Sequence, residues 1–153
     1  MSRAFVKGND EETSIELPDR PISEHPNDVT EHGLQLIEQA VAEARHDHAA
    51  AQASNDRAEL AKAARELRYW SSRRATARVV KPADCSQVRF GCSVTIDRSD
   101  GRTQTFQIVG EDEADPRAGK ISHVSPLARA LFGKVVGDIV KAGNDDAEIT
   151  RIF

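Results

Sequence analysis

The sequence predicts an α+β protein, an antiparallel helical hairpin followed by a small β-rich domain with one short helix. Three observations predict it. Small and apolar residues recur at alternating steps of three and four through two stretches flanking Ser54-Asn55-Asp56, the spacing of one helical face. After Pro82 the pattern changes to a period of two, which is that of strands. Ser125-Pro126 then opens a short apolar helical stripe between strand-like segments.

Residues 1–29 come first. Arg3, Lys7 and Arg20 stand there against Asp10, Glu11, Glu12, Glu16, Asp19, Glu24 and Asp28, so this segment accounts for the whole formal net charge of -4. Pro18, Pro21 and Pro26 punctuate it. Acidic, polar and proline-broken, it is expected to be a disordered arm.

The hairpin is assigned to residues 30–80. Thr30 is suited to N-cap the first helix. Leu34, Ile37, Val41, Ala44, His48 and Ala51 form its stripe, and Leu60, Ala63, Leu67, Trp70, Arg74 and Ala77 form that of the second. Joined by a tight turn, the two stripes pair antiparallel. Helices of about 22 residues imply an arm of roughly 33 Å. The first helix carries Glu31, Glu38, Glu43 and Asp47 against Arg45. The second carries Arg57, Lys62, Arg65, Arg68, Arg73, Arg74 and Arg78 against Glu59 and Glu66. Facing flanks of opposite sign help fix the pairing, although exposed ion pairs contribute little energy.

Lys81-Pro82 ends the second helix, and the domain is assigned to 81–153. Val88–Phe90, Ser93–Arg98 and Thr103–Val109 read as strands, the last two joined by an Asp100-Gly101 turn. An acidic loop from Gly110 to Gly119 is expected to be exposed. Lys120–Ser122 reads as a short strand. Ser125 caps a helix carrying Leu127, Ala130 and Leu131, and Gly137–Lys141 and Ala147–Phe153 close the domain as strands.

Aromatic residues make up only 5% of the 153 residues, too few for a core running the whole length. Cys85 and Cys92 form no CxxC pair, so no zinc site or disulfide framework is expected, and the thiols are read as reduced. His46 and His48 are two apart and point to different helix faces, a poor metal pair. No apolar run is long enough for a membrane span or a secretory signal, which predicts a cytoplasmic protein.

The segments Ile108-Val109-Gly110-Glu111-Asp112-Glu113-Ala114-Asp115, Gly119-Lys120-Ile121-Ser122, Ser125-Pro126-Leu127-Ala128-Arg129-Ala130-Leu131-Phe132-Gly133-Lys134 and Gly137-Asp138 share one order and spacing. Together, over about residues 88–153, they resemble the C-terminal domain of the GreA/GreB transcription elongation factors. The resemblance implies an antiparallel, FK506-binding-protein-like domain behind a coiled coil. It implies a partner, the core of bacterial RNA polymerase, bound at the rim of the secondary channel. Ser125, Pro126 and Leu127 would belong to the polymerase-binding surface. Asp112, Glu113 and Asp115 either join them or meet only water.

The hairpin tip bears on chemistry. In cleavage-competent relatives, two tip acids help hold Mg²⁺ and activate water against backtracked RNA, a role suited to carboxylates. The family's usual Gly-Asp-Leu-Ser-Glu-Asn string is absent. Asp56 and Glu59 keep the three-residue spacing and are the nominated pair, with helix capping as the competing reading. The arms also fall about ten residues short of the family's, retracting the tip by about 15 Å. The chain therefore resembles the short-coil, Rnk-like variant, which binds polymerase without promoting cleavage. No activity or cofactor of its own is expected, at most Mg²⁺ at the polymerase active site. Arg65, Arg68 and Arg73 are candidates to touch RNA or DNA in the elongation complex. A prolyl isomerase is the rival, disfavoured because the domain offers only Phe90, Phe106, Phe132 and Phe153 as aromatics. Duplex DNA binding is a third reading.

Overall fold

The computed structural model describes residues 17–153. Helix α1 (Glu31–Ser54) and helix α2 (Arg57–Thr76) pack antiparallel as the hairpin. Thr30 is the N-cap of α1, its hydroxyl accepting from the Gly33 amide at 2.9 Å. Asn55 ends α1 in the left-handed conformation, and Asp56 starts α2 by accepting from the amides of Ala58 and Glu59. Ile37, Val41, Ala44 and Ala51 are buried along α1, as its stripe predicts. On α2 the burial differs. Ala63 is buried, Leu60, Leu67 and Trp70 are half-buried, and the most deeply buried side chain is that of Arg73. The oppositely charged flanks meet at Arg74–Glu38, 3.1 Å.

Part of the expected arm lies outside the described residues (1–16). The rest does not behave as a disordered tail. Strand β1 (Asp28–Val29) pairs in parallel with strand β2 (Arg78–Val79), which follows α2. Asn27 and Val29 are buried. The chain entering the hairpin is thus stitched to the chain leaving it, and polar composition concealed this because only two residues pair.

The domain is one five-stranded sheet. Strands β3 (Ser93–Arg98), β4 (Thr103–Val109), β5 (Lys120–Ser122), β6 (Ile139–Ala142) and β7 (Asp145–Ile152) lie in the order β5-β4-β3-β7-β6. The sheet is mixed rather than purely antiparallel, because β5 runs parallel to β4. Parallel neighbours need a crossover, and the acidic loop supplies it through a 3₁₀ turn at Pro116–Ala118. Helix α3 (Pro126–Leu131) has Ser125 as its N-cap and Pro126 in its first turn. Val94 and Ile96 of β3, Ile108 of β4, Leu131 of α3 and Ile149 of β7 are fully buried together. Val88 and Phe90 join them, yet Val88–Phe90 is not a strand. Their alternation is real, but Val88 bonds to the backbone of Gly133 and Lys134, past α3, instead of to a strand.

The cysteines depart from expectation too. Cys85 and Cys92 are joined in a disulfide, with Cα atoms 6.0 Å apart. A separation of 7 gives no framework pattern to read, but the connection folds back on itself and brings the two together.

Gly110 shows how closely sheet and hairpin entry approach. A Cβ there would lie 2.5 Å from the Asp28 carbonyl oxygen, a backbone atom with little room to yield. Gly110→Ala is expected to destabilise the fold by about 1–3 kcal/mol, the usual cost of overpacking. Urea unfolding checks this, and an unchanged midpoint would contradict the close approach.

Candidate functional site

The molecule's buried charges sit where hairpin and domain meet. From α2, the Arg73 side chain is 2% exposed. Its Nε donates to Asp112 Oδ2 at 2.6 Å and its Nη2 to Asn27 Oδ1 at 2.8 Å. Asn27 Nδ2 in turn donates to the Arg73 carbonyl at 2.8 Å and to Thr76 Oγ1 at 3.2 Å. One helical turn before Arg73, the Tyr69 hydroxyl donates to Asp112 Oδ1 at 2.5 Å. Both oxygens of Asp112 are therefore engaged by α2. Burial, and then the hydrogen bond to the Asp112 carboxylate, push the Tyr69 hydroxyl up to about 12.

A second buried carboxylate repeats the arrangement at α1. Glu113 accepts from the Thr30 hydroxyl and from Lys120 Nζ, the latter at 3.2 Å. Thr30 thus works in two directions, capping α1 with one lone pair and donating its proton to the domain. The acidic loop, expected to be exposed, instead turns Asp112 and Glu113 into the junction. Burial of such acids is affordable only with partners, and Arg73, Tyr69, Thr30 and Lys120 provide them. Asp115 remains exposed, its backbone paired with Lys120.

The entering segment lies along α2. The Arg20 guanidinium stacks 3.7 Å from the Tyr69 ring centroid and binds Glu66 at 2.8 Å. Asp19 binds Arg68 at 2.6 Å. Of the three arginines considered for nucleic acid, Arg73 is sealed in the junction, Arg68 carries an acidic partner and Arg65 is half-buried. Trp70, assigned to the core stripe, is half-buried with its ring edge-on to Tyr69.

On the far side of the loop, α3 stands at the surface. Ser125 Oγ accepts from the Ala128 amide, Pro126 is exposed, and Leu127 packs partly against the core. Phe132, Val135, Val136 and Ile139 are exposed apolar side chains in the segment after α3.

The family model for the C-terminal domain of the transcription elongation factors GreA/GreB matches residues 82–150. Transcription elongation factor GreA of Vibrio parahaemolyticus is 39% identical over 127 residues, covering 76% of this chain and 81% of that protein. The chain belongs to the GreA/GreB family. GreA of Hyphomonas neptunium is 61% identical over a shorter stretch of 54 residues, 35% of this chain. Among solved structures, GreA factor homolog 1 of Thermus thermophilus is 20% identical with a TM-score of 0.42, covering 84% of this chain and 99% of that one. The chain is a transcription elongation factor of this family.

At the tip of this GreA/GreB hairpin, Asp56 and Glu59 are both exposed. Asp56 Oδ1 accepts from the amides of Ala58 and Glu59 at 3.1 and 3.2 Å, and Glu59 pairs with Lys62 at 3.4 Å. The capping geometry weighed from sequence is present. Among the described residues, no group of three or more acids, histidines or cysteines is placed to hold a metal ion, and no helix is long and apolar enough to cross a membrane.

Sequence reasoning missed Asn27 and Tyr69, and it gave Arg73 to nucleic acid instead of to the junction. The available hint was Glu111-Asp112-Glu113, a run of acids without a basic neighbour until Arg117, facing a surplus of arginine on the second helix. Tyr69 is the sole tyrosine, so its ionisation is separately measurable. Because its folded value is raised, the phenol stabilises the fold fully below about 10, and that contribution is lost as pH rises toward about 12. Phenolate absorbance should rise with a midpoint near 12, and Asp112→Asn should lower it. A native midpoint at 10 would contradict the buried contact.

Proposed function

We propose that the chain binds bacterial RNA polymerase core at the rim of the secondary channel through its C-terminal domain, with the hairpin projecting from that domain as a short probe. One observation carries this: the GreA/GreB match over residues 82–150 includes α3, where Pro126 is exposed, and the segment after it, where Phe132, Val135, Val136 and Ile139 are exposed. Ser125, Pro126 and Leu127 are the contacts assigned here. Asp115 is the loop acid open to the partner, since Asp112 and Glu113 are engaged inside the molecule. Such a protein acts in the cytoplasm.

The reading favours regulation without transcript cleavage. Helix α1 has 24 residues and α2 has 20, an arm of roughly 30–36 Å. Its tip acids are committed to a helix cap and a lysine. Contact with RNA or DNA is indirect, made inside the elongation complex, and any Mg²⁺ involved is that of the polymerase.

Binding to core polymerase should fall at least tenfold on Pro126→Asp, an exposed position whose change leaves the core intact. Equal affinity of the variant would remove α3 from the interface. Backtracked complexes should be cleaved no faster when the wild-type chain is added. Acceleration abolished by Asp56→Asn with Glu59→Gln would replace this reading with Gre-type cleavage. Asparagine caps helices as well as aspartate, so lost activity in that variant would not reflect an unfolded tip.

A further inference from the structure

We propose that Cys85 and Cys92 are a reversible thiol–disulfide pair that sets how firmly helix α3 is held. The loop they close braces α3 from both ends. At the C-terminal side, Val88 receives a hydrogen bond from the Gly133 amide and donates one to the Lys134 carbonyl, both 2.8 Å. At the N-terminal side, the Phe90 ring meets the His123 ring edge-on, centroids 5.5 Å apart, and His123 precedes the Ser125 cap by two residues. Val88 and Phe90 are also core residues, 0% and 6% exposed.

The two ends of the closed loop are held unequally. Cys92 is 0% exposed, its carbonyl accepts from the Ile108 amide at 3.1 Å, and β3 begins at the next residue. Cys85 is half-exposed. Among the described residues, no backbone–backbone hydrogen bond ties residues 81–87 to the helices or sheet. An exposed ion pair ties Lys81 to Glu31 of α1 at 2.6 Å, and the disulfide is the covalent tie between this stretch and the sheet. Pairs of this kind in cytoplasmic proteins are usually transient and redox-sensing.

The chemistry is thiol–disulfide exchange with a dithiol. A reductant thiolate attacks Cys85 Sγ, the accessible sulfur, and the Cys85–Cys92 bond breaks with Cys92 leaving as thiolate. The reductant's second thiol then resolves the mixed disulfide. Two electrons and two protons pass to the protein, giving two thiols and an oxidised reductant. Disulfide-bearing oxidants reverse the sequence.

Loss of so short a closed loop multiplies local opening by roughly ten- to a hundredfold. The full-length chain is tested oxidised with glutathione disulfide, reduced with dithiothreitol, and as Cys85→Ser. Iodoacetamide should modify no cysteine in the oxidised chain and both in the unfolded, reduced one. Amide exchange at Val88 and Gly133 should quicken at least tenfold on reduction, with β3 and β4 still protected. Cys85→Ser should match the reduced form and ignore dithiothreitol. Free thiols persisting in excess glutathione disulfide, or equal exchange in both forms, would overturn the proposal. The effect on the partner rests on the docking reading above: polymerase should bind the reduced form several-fold more weakly. Equal binding of both forms would overturn that coupling. Binding of neither would overturn the docking reading instead, leaving amide exchange to judge the redox pair.

Discussion

One buried cation organises the molecule. The Arg73 guanidinium, from the last turn of α2, joins three pieces of chain distant in sequence: the helix itself, Asn27 before β1, and Asp112 on the loop after β4. A guanidinium out of water is costly unless its donors find acceptors, and its planar fork suits the carboxylate and amide oxygens arranged around it. The same demand runs the other way. Asp112, once inside, needs Arg73 and the Tyr69 hydroxyl. Removing Arg73 would leave Asp112 without its cation, and removing Asp112 would leave Arg73 only the more distant Glu111 carboxylate at 3.9 Å, so the pair holds hairpin and domain in a defined relation. Glu113 with Thr30 and Lys120 supplies a second point of fixation at the start of α1. Two attachments on two helices resist rotation as well as translation.

This arrangement separates two jobs within the Gly110–Gly119 loop. Its first half faces inward and orients the hairpin, while Asp115 and the 3₁₀ turn lie at the surface. Just beyond, β5 runs to α3, the segment assigned to the partner. A partner gripping α3 would therefore grip a body to which the hairpin is rigidly referenced. The Cys85–Cys92 loop meets the chain at both ends of the same α3, through Val88 with Gly133 and Lys134 and through Phe90 with His123, without passing through the hairpin.

Much of the fold was legible because its signals are local. The Thr30 cap, the Ser54-Asn55-Asp56 turn, the Asp100-Gly101 hairpin with β3 and β4, and the Ser125-Pro126 helix start each depend on residues a few positions apart. What stayed hidden depends on distant partners. Arg73 lies one position off the apolar stripe, which periodicity carried through Arg74, an exposed residue in the structure. Asp112 and Glu113 look exposed until α2 and Thr30 are set beside them. The β1–β2 pair is two residues long and joins positions 50 apart, below the reach of any pattern. Val88 and Phe90 showed the right alternation but the wrong element, since loop backbone beside a core buries alternate residues as a strand does. The assignment of Ser125, Pro126 and Leu127 to a partner rests on family resemblance alone. That Phe132, Val135, Val136 and Ile139 are exposed and not part of the core needed the fold.

Arg73 and Asp112 stabilise the junction as a pair. A double-mutant cycle with Arg73→Met and Asp112→Asn, followed by urea unfolding through the fluorescence of the sole tryptophan, Trp70, measures their coupling. Each single change should be strongly destabilising and the double change much less than their sum, leaving a coupling of about 2 kcal/mol or more. Effects additive to within about 0.5 kcal/mol would mean that the two side chains act independently, and that the hairpin is held to the domain by something else.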